Sequence, residues 1–335
     1  MTALSDSKHK TAQVLSRQYG GSTAEGWVGR LPRPWIPYVQ LARLDPPAAL
    51  FLIYLPHLFG LLHAAKLLHL SFLEVFRVGG LLLGGSLFFS NAAHAWNDIV
   101  DAPIDRQVER TKGRPIARGA ISTQAALAFT GTQALGAAAF LLTLPEPATA
   151  AATIPTMVGT AYYPWAKRHT HFPQLVLGLC LSWGIMVGSA AGGVDQPHRS
   201  PALWCLVGSA TAWVMIYDTI YASQDLTDDV RIGVKSMTVL LRENTSAVLW
   251  GLLAVMAVLL SYYGHLTGAG LGYFVITVGG CMLSLGTMIA KVELKSQASC
   301  WWWFSVGFWY TGASIVLGMV WEGAIAPLFL SPESF

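Results

Sequence analysis

Long apolar stretches constrain this chain more than any other feature of its sequence. Nine of them follow one another along the 335 residues, and each is close to the roughly 20 residues that a helix needs to cross a bilayer core. The composition agrees, because 53% of the residues are hydrophobic and only 12% are charged, whereas soluble domains carry about 25% charged residues. The sequence therefore predicts an all-α fold class, a polytopic membrane protein with nine transmembrane helices.

The predicted helices cover most of the chain. Polar or Pro- and Gly-containing connections separate them, and they occupy residues 46–68, 76–97, 124–143, 147–165, 173–194, 201–222, 245–263, 268–290 and 301–328. Two domains follow from this division. Residues 1–42 are predicted to form a flexible polar tail with an interfacial end, and residues 43–330 the membrane domain.

The basic residues predict the orientation of the chain, because Lys and Arg accumulate in cytoplasmic loops. Of 21 such residues, 18 lie in the N-terminal tail or in the loops after even-numbered helices. We therefore expect the N-terminus and these loops to face the cytosol or an equivalent compartment. The formal net charge of +3 is nearly balanced, and no basic run exceeds two residues, so we expect no nucleic-acid partner.

Seven of the ten aspartates lie in two short segments, NDIVDAPID at 97–105 and YDTIYASQDLTDD at 217–229. Both segments end an apolar stretch on the same predicted side of the membrane. On an ideal helix the acidic side chains of each segment occupy one face, although Pro103 weakens this expectation for Asp105. Clustered carboxylates repel one another unless a cation offsets their charge. Carboxylate and amide oxygens without nearby cysteine suit Mg²⁺, whose remaining ligands are usually phosphate and water.

Cationic residues on the same side could bind the phosphates of such a substrate. They follow the two acidic segments and the fourth predicted helix, and they are Arg110, Lys112, Arg114, Arg118, Lys167, Arg168, Arg231 and Lys235. Tyr163 precedes Lys167 by four residues, so one helical face presents a phenol and an ammonium together. These features predict a membrane enzyme acting on a lipid diphosphate whose tail stays in hydrocarbon.

At this level of detail the chain resembles the UbiA family of intramembrane aromatic prenyltransferases. The resemblance extends from RLDPP at 43–47 to the last apolar stretch, and it includes the segments NDIVDAPID, RTKGRPIARG, YYPWAKR and YDTIYASQDLTDDVRIGVKS. It implies a helical bundle around a central cavity that opens sideways to lipid. It also implies that Mg²⁺ and the cations neutralise a leaving diphosphate while an aromatic ring attacks the prenyl group.

The resemblance assigns candidate roles residue by residue. The implied Mg²⁺ ligands are Asn97, Asp98, Asp101, Asp105, Asp218, Asp225 and Asp229, of which Asp101, Asp105, Asp225 and Asp229 are the candidate catalytic residues. The implied diphosphate-binding residues are Arg114, Tyr163, Lys167 and Lys235. Arg168 or Arg43 is the candidate for binding the carboxylate of the acceptor. Asp228 is expected to contact the metal ligands without binding the metal itself.

The substrates implied by the resemblance are a prenyl diphosphate and an aromatic acid. Pro46 stands where the ubiquinone-pathway subgroup commonly has lysine, and the N-terminal tail lacks a persuasive mitochondrial presequence. We therefore expect farnesyl transfer to a phenolic polyketide acid in meroterpenoid biosynthesis, in the endoplasmic reticulum or another endomembrane. The alternative is 4-hydroxybenzoate prenylation for ubiquinone in the mitochondrial inner membrane. A remote alternative is an ion-coupled transporter.

Overall fold

The computed structural model describes residues 18–19 and 26–326, and all its regular elements in these residues are helical. The α-helices are α1 (Ile36–Leu41), α2 (Ala48–Leu68), α3 (Phe72–Asp105), α4 (Thr123–Leu142), α5 (Ala148–Ala152), α6 (Ile154–His169), α7 (Pro173–Ser182), α8 (Gly184–Ala191), α9 (Pro201–Ala222), α10 (Leu226–Ile232), α11 (Met237–Leu241), α12 (Thr245–Leu266), α13 (Leu271–Tyr273), α14 (Gly280–Lys291), α15 (Gln297–Trp302) and α16 (Phe308–Val320). Wider π-helical turns continue α13, α15 and α16. The predicted all-α membrane fold is confirmed.

Eight helical segments in the described part of the chain are long and apolar enough to cross a membrane, one fewer than the nine predicted. The difference lies at 147–165, where the helix is divided at Thr153 into α5 and α6. Pro155 occupies the first turn of α6. Because proline has no amide hydrogen and its ring crowds the preceding turn, it favours a new helix start over a continuous one.

Helix α3 extends well beyond the membrane span predicted at 76–97. Its 34 residues begin at a capping box, in which Ser71 and Glu74 exchange hydrogen bonds, and give it a length of about 51 Å. The helix continues through Pro103 to Asp105. The first acidic segment is therefore the end of a transmembrane helix, and its side chains keep their helical spacing.

The second acidic segment begins on α9 and continues through a 3₁₀ turn, Ser223–Asp225, into α10. Gly233 ends α10 with φ of 77°, a left-handed conformation that suits glycine, and its amide donates to the Asp229 carbonyl. Asp218 of α9, Asp225 of the turn and Asp229 of α10 line the same cavity as Asp101 and Asp105 of α3.

The structure describes two of the first 25 residues of the predicted tail, and both are buried. Gln18 and Tyr19 are buried, with 4% and 2% of their surfaces exposed. Residues 1–17 and 20–25 lie outside the described residues, as do 327 and 328 of the last predicted helix. At the predicted interfacial end, Trp27 and Trp35 are exposed, as expected for tryptophan at a membrane interface.

Candidate active site

The two acidic segments meet across one cavity of about 180 Å³. Most of the predicted site residues line it: Arg43, Asn97, Asp101, Asp105, Arg114, Tyr163, Lys167, Asp218, Asp225, Asp229 and Lys235. Helices α3, α6 and α9 and the turn before α10 supply most of these side chains. The structure thus brings together residues that are separated by nearly 200 positions in the sequence.

Cations supplied by the protein offset the carboxylates of the first segment. The guanidinium of Arg114 lies 3.0 Å from Asp105 and 3.2 Å from Asp98. The ammonium of Lys167 donates to Asp101 Oδ2 at 2.7 Å. Such buried pairs allow like charges to approach one another in a region of low dielectric constant.

The second segment is held by Arg110, a residue for which the sequence suggested no specific partner. Arg110 Nε donates to Asp225 Oδ1 at 2.8 Å, its Nη2 donates to Asp225 Oδ2, and its Nη1 donates to Tyr221 Oη at 2.6 Å. Burial alone would lower the pKa of Arg110, but the Asp225 carboxylate and the Tyr221 phenol outweigh burial, and the pKa is raised. The guanidinium therefore stays charged. Its position five residues after Asp105 was the only sequence signal for this role.

Asp98 lies behind the cavity wall, with only 1% of its surface exposed. Its Oδ1 accepts hydrogen bonds from Arg43 at 2.8 Å and from Arg114 at 3.2 Å. Burial lowers the pKa of Arg114, yet the carboxylates of Asp105 and Asp98 together raise it well above its ordinary value. In this arrangement Asp98 orients two cations and contributes no oxygen to the cavity surface.

Two side-chain oxygens of the first acidic segment at the cavity have no hydrogen-bond partner in the described part of the chain and are suited to a hard cation. Asn97 Oδ1 and Asp101 Oδ1 are both buried and accept no hydrogen bond within the described structure. Among residues 18–19 and 26–326, no three His, Cys, Asp or Glu side chains converge as a complete metal site, because the carboxylates point toward arginine and lysine. The donor set fits Mg²⁺, which takes few protein oxygens and several from phosphate and water.

The remaining predicted residues divide into two groups. Tyr163, Lys167 and Lys235 all line the cavity. The Lys167 ammonium lies 5.5 Å from the centre of the Tyr163 ring, and the Lys235 ammonium donates to the His169 carbonyl at 3.4 Å. Arg168 is exposed, does not line the cavity, and donates to the Val100 carbonyl at 3.0 Å. Asp228 accepts hydrogen bonds from the Glu109 amide and from Arg231. It therefore joins α10 to the loop that follows α3.

An apolar groove of about 350 Å³ adjoins the polar cavity. It is lined mainly by α3, α4 and α6, and it shares Phe89, Ala93 and Thr160 with the cavity. Farther along α3 and α4 its surface is formed by Leu81, Leu82, Phe140 and Leu141. The cavity and the groove therefore adjoin along shared residues, with charged groups on one side and hydrocarbon-like walls on the other.

Comparisons with known proteins agree with this arrangement. The model of the UbiA prenyltransferase family matches residues 45–312. Prenyltransferase stbC of Stachybotrys bisbyi is 35% identical over 291 residues, which cover 85% of this chain and 86% of its own. The mitochondrial 4-hydroxybenzoate polyprenyltransferase of Schizosaccharomyces pombe is 32% identical over 280 residues, covering 84% and 78% of the two chains.

Solved structures share the fold. The apo structure of a UbiA homolog from Aeropyrum pernix superposes with a TM-score of 0.64 and 22% identity, covering 84% of this chain and 98% of its own. A UbiA homolog from Archaeoglobus fulgidus, bound to DMAPP and Mg²⁺, gives a TM-score of 0.63 at 16% identity, covering 86% and 99%.

Proposed function

Since the chain belongs to the UbiA prenyltransferase family, we propose that this intramembrane enzyme transfers a farnesyl group from its diphosphate to a ring carbon of a phenolic polyketide acid. The observation that carries the proposal is that the acidic and cationic cavity and the apolar groove adjoin and share lining residues. A prenyl diphosphate has the same division into a charged head and an apolar tail, so its head suits the cavity and its tail the groove.

The cavity residues have distinct tasks in the proposed reaction. Asn97, Asp101, Asp105, Asp218, Asp225 and Asp229 would hold Mg²⁺, which when bound neutralises charge on the departing diphosphate. Arg110, Arg114, Lys167 and Lys235 add fixed positive charge beside the same oxygens. The prenyl C–O bond breaks, its electron pair leaves with the diphosphate, and the allylic cation attacks the electron-rich ring. Loss of the ring proton restores aromaticity.

The structure favours an enzyme over the transporter considered above. The acidic groups lie at one cavity beside cations, whereas an ion pathway needs ionisable groups distributed across the membrane. The proposed acceptor and donor rest on the departure at Pro46 from the lysine that is common in the ubiquinone-pathway subgroup. Similarity to the prenyltransferase stbC supports prenyl transfer as the reaction. The similarity to mitochondrial 4-hydroxybenzoate polyprenyltransferases supports the second candidate, prenylation of 4-hydroxybenzoate.

The location belongs to the same proposal. We expect the protein in the endoplasmic reticulum or another endomembrane, with the acidic segments facing the cytosol, because 18 of 21 basic residues lie on that side. Fractionation of cells that express the tagged chain tests the organelle. Recovery in the mitochondrial inner membrane would contradict this expectation and favour the second candidate.

The test of function is an assay of membranes that contain the full chain, with and without Mg²⁺. Geranyl, farnesyl and longer prenyl diphosphates are each combined with 4-hydroxybenzoate and with orsellinate-type acids. We expect Mg²⁺-dependent farnesylation of an orsellinate-type acid. Long-chain prenylation of 4-hydroxybenzoate alone would transfer the assignment to the second candidate, and absence of any prenyl transfer would overturn the proposal.

Two substitutions test the assigned metal ligands in the same assay. Asp101→Asn and Asp225→Asn should each reduce turnover by about 100-fold or more, because each removes a carboxylate that would hold Mg²⁺ beside the departing diphosphate. Asp195→Asn is the matched control, since Asp195 is exposed and lies outside the cavity. Wild-type turnover in both cavity variants, with normal membrane insertion, would refute the ligand assignment.

A further inference from the structure

The N-terminal tail contributes a side chain to the cavity of the membrane domain. Tyr19 lines the cavity, and only 2% of its surface is exposed. Its Oη accepts a hydrogen bond from the Ala49 amide at 3.0 Å, in the first turn of α2, where helix amides have no partner within the helix. Gln18 Nε2 donates to Gln224 Oε1 at 2.9 Å, beside Asp225. The tail is thus attached both to α2 and to the second acidic segment.

Tyr19 completes a group of aromatic side chains on one side of the cavity, which we call the aromatic wall: Tyr19, Tyr217, Tyr221 and Phe304. All four line the cavity. The Tyr19 ring stands edge-on to Phe304 at 6.1 Å between centroids, and Phe304 lies 5.8 Å from Tyr217 and 4.3 Å from Tyr221. These separations are in the range in which aromatic rings attract one another. An aromatic ligand would find both ring edges and ring faces on this wall.

Polar groups on the wall match an aromatic acid. Tyr217 is 1% exposed, and within the described structure its Oη has no hydrogen-bond partner. A buried hydroxyl without a partner costs free energy, which a polar group of a ligand would recover. The Arg43 guanidinium lies 5.9 Å from the centre of the Tyr19 ring, held by Asp98. A phenol and a cation beside aromatic rings are the groups that would recognise a phenolic carboxylate.

The wall and the apolar groove lie on different sides of the cavity. Tyr217 and Tyr221 belong to α9 and Phe304 to the turn after α15, whereas the groove is lined mainly by α3, α4 and α6. No helix contributes to both surfaces among the described residues. A prenyl chain in the groove therefore leaves the wall free for a second substrate.

We propose that the aromatic wall binds the aromatic acceptor and that Tyr19, supplied by the N-terminal tail, is an acceptor-specificity residue. This inference rests on the proposed function, because it assigns one of its two substrates to a surface. It makes the tail part of the active site. Acceptor choice can then change with the tail, while the residues that bind the diphosphate stay the same.

The test measures steady-state kinetics of the full chain in membranes, varying acceptor and prenyl diphosphate separately. We expect Tyr19→Ala to raise the acceptor KM about tenfold, because one aromatic contact is lost, with the prenyl diphosphate KM within about twofold of wild type. Tyr19→Phe keeps the ring and loses only the hydrogen bond to Ala49, so its acceptor KM should rise about threefold or less. Tyr310→Ala is the control, because Tyr310 is 60% exposed and away from the cavity.

Other outcomes would overturn the inference. Equal increases in both KM values, or a lower kcat with unchanged acceptor KM, would show that Tyr19 only supports the fold. If Tyr19→Ala does not fold, Tyr217→Phe decides, since it keeps the ring and removes the phenol: a raised acceptor KM supports the wall and an unchanged one refutes it. Absence of prenyl transfer by wild-type protein would instead overturn the proposed function, and this inference with it.

Discussion

At the scale of single residues, the cavity is organised by pairs of opposite charge. Arg110, Arg114 and Lys167 each hold one or two aspartates at hydrogen-bond distance. These bonds fix the positions of the cations beside the cavity, so positive charge is already in place there when a diphosphate arrives. The same cations prevent the carboxylates from repelling one another.

Arg110 is expected to be indispensable for turnover. Arg110→Ala leaves the Asp225 carboxylate without its bidentate partner and should lower kcat by about 100-fold. Arg110→Lys keeps the positive charge but lacks the planar guanidinium that binds a carboxylate through two hydrogen bonds. Its kcat should therefore recover only in part, to within about tenfold of wild type. The kcat of both variants is to be measured with purified protein and normalised to the folded fraction. A lysine variant as active as wild type would show that charge alone suffices.

Arg43 and Arg168 are equivalent candidates for the acceptor carboxylate by sequence, but their positions in the fold differ. Arg43 lines the cavity, and Arg168 is exposed outside it. We expect Arg43→Ala to raise the acceptor KM by about tenfold, the effect of losing one charged hydrogen bond, and Arg168→Ala to leave it within about twofold. Kinetics with varied acceptor concentration distinguish them, and the reverse ranking would reassign the role to Arg168.

At the scale of secondary-structure elements, α3 carries both halves of the proposed donor site. Asp101 and Asp105 lie at its end, and Ala93 and Leu81 lie farther back along the groove. The twelve residues from Ala93 to Leu81 correspond to about 18 Å along the helix axis. In the proposed binding mode, the position of a bulky side chain along α3 therefore limits the length of the prenyl chain.

Ala93→Phe should obstruct the groove where it joins the cavity. We expect the kcat/KM for farnesyl diphosphate to fall at least about tenfold, because the added aromatic ring would occupy the space that the prenyl chain needs, while dimethylallyl diphosphate is affected much less. Competition between the two donors in one reaction measures this ratio. Ala128→Phe, on the exposed face of α4, is the matched control. An unchanged ratio would mean that the chain takes another route.

Close backbone contact between α2 and α8 depends on glycine. A Cβ added at Gly188 would lie 1.8 Å from the His57 carbonyl oxygen, and one at Gly60 would lie 1.9 Å from that of Ile185. Small residues permit such contacts between membrane helices.

Gly188→Ala should therefore destabilise the protein by about 2 kcal/mol, within the usual range for overpacking. Thermal unfolding in detergent is the measurement. Gly251→Ala is the control, because nothing lies within 4 Å of its added Cβ, and it should be neutral or slightly stabilising, since alanine favours the helix. Equal loss of stability in both variants would contradict this account of the packing.

At the scale of the whole molecule, the cavity connects α3, α6, α9 and the N-terminal tail. A ligand that binds here contacts elements that are far apart in the sequence. Binding should therefore stabilise the complete bundle, because a ligand specific to the folded state shifts the unfolding equilibrium.

Mg²⁺ together with inorganic diphosphate should raise the unfolding temperature of wild-type protein. At 100 times the dissociation constant the gain is about 2.7 kcal/mol. Asp101→Asn and Asp225→Asn should lose most of it, and K⁺ at matched ionic strength should have no comparable effect. This measurement needs no turnover. An equal gain in wild type and both variants would place the ions elsewhere.

The sequence by itself determined the membrane class, the helical fold, the two acidic segments and most of the charged residues that line the cavity. Apolar length and helical spacing are local properties, so the spacing alone predicts that Asn97, Asp101 and Asp105 share a face. Pro155 also carries a local signal, and the apolar run around it forms two helices that are divided at Thr153.

Only the tertiary structure decided which groups meet. The pairing of Arg110 with Asp225, the position of Asp98 behind the wall and the exposure of Arg168 depend on where separate helices lie. The clearest case is Tyr19, which sits in a polar tail with no apolar pattern around it. Its burial results from packing against Trp301 and Phe304, more than 280 positions away. Such contacts have no local sequence pattern, because they depend on the packing of distant elements.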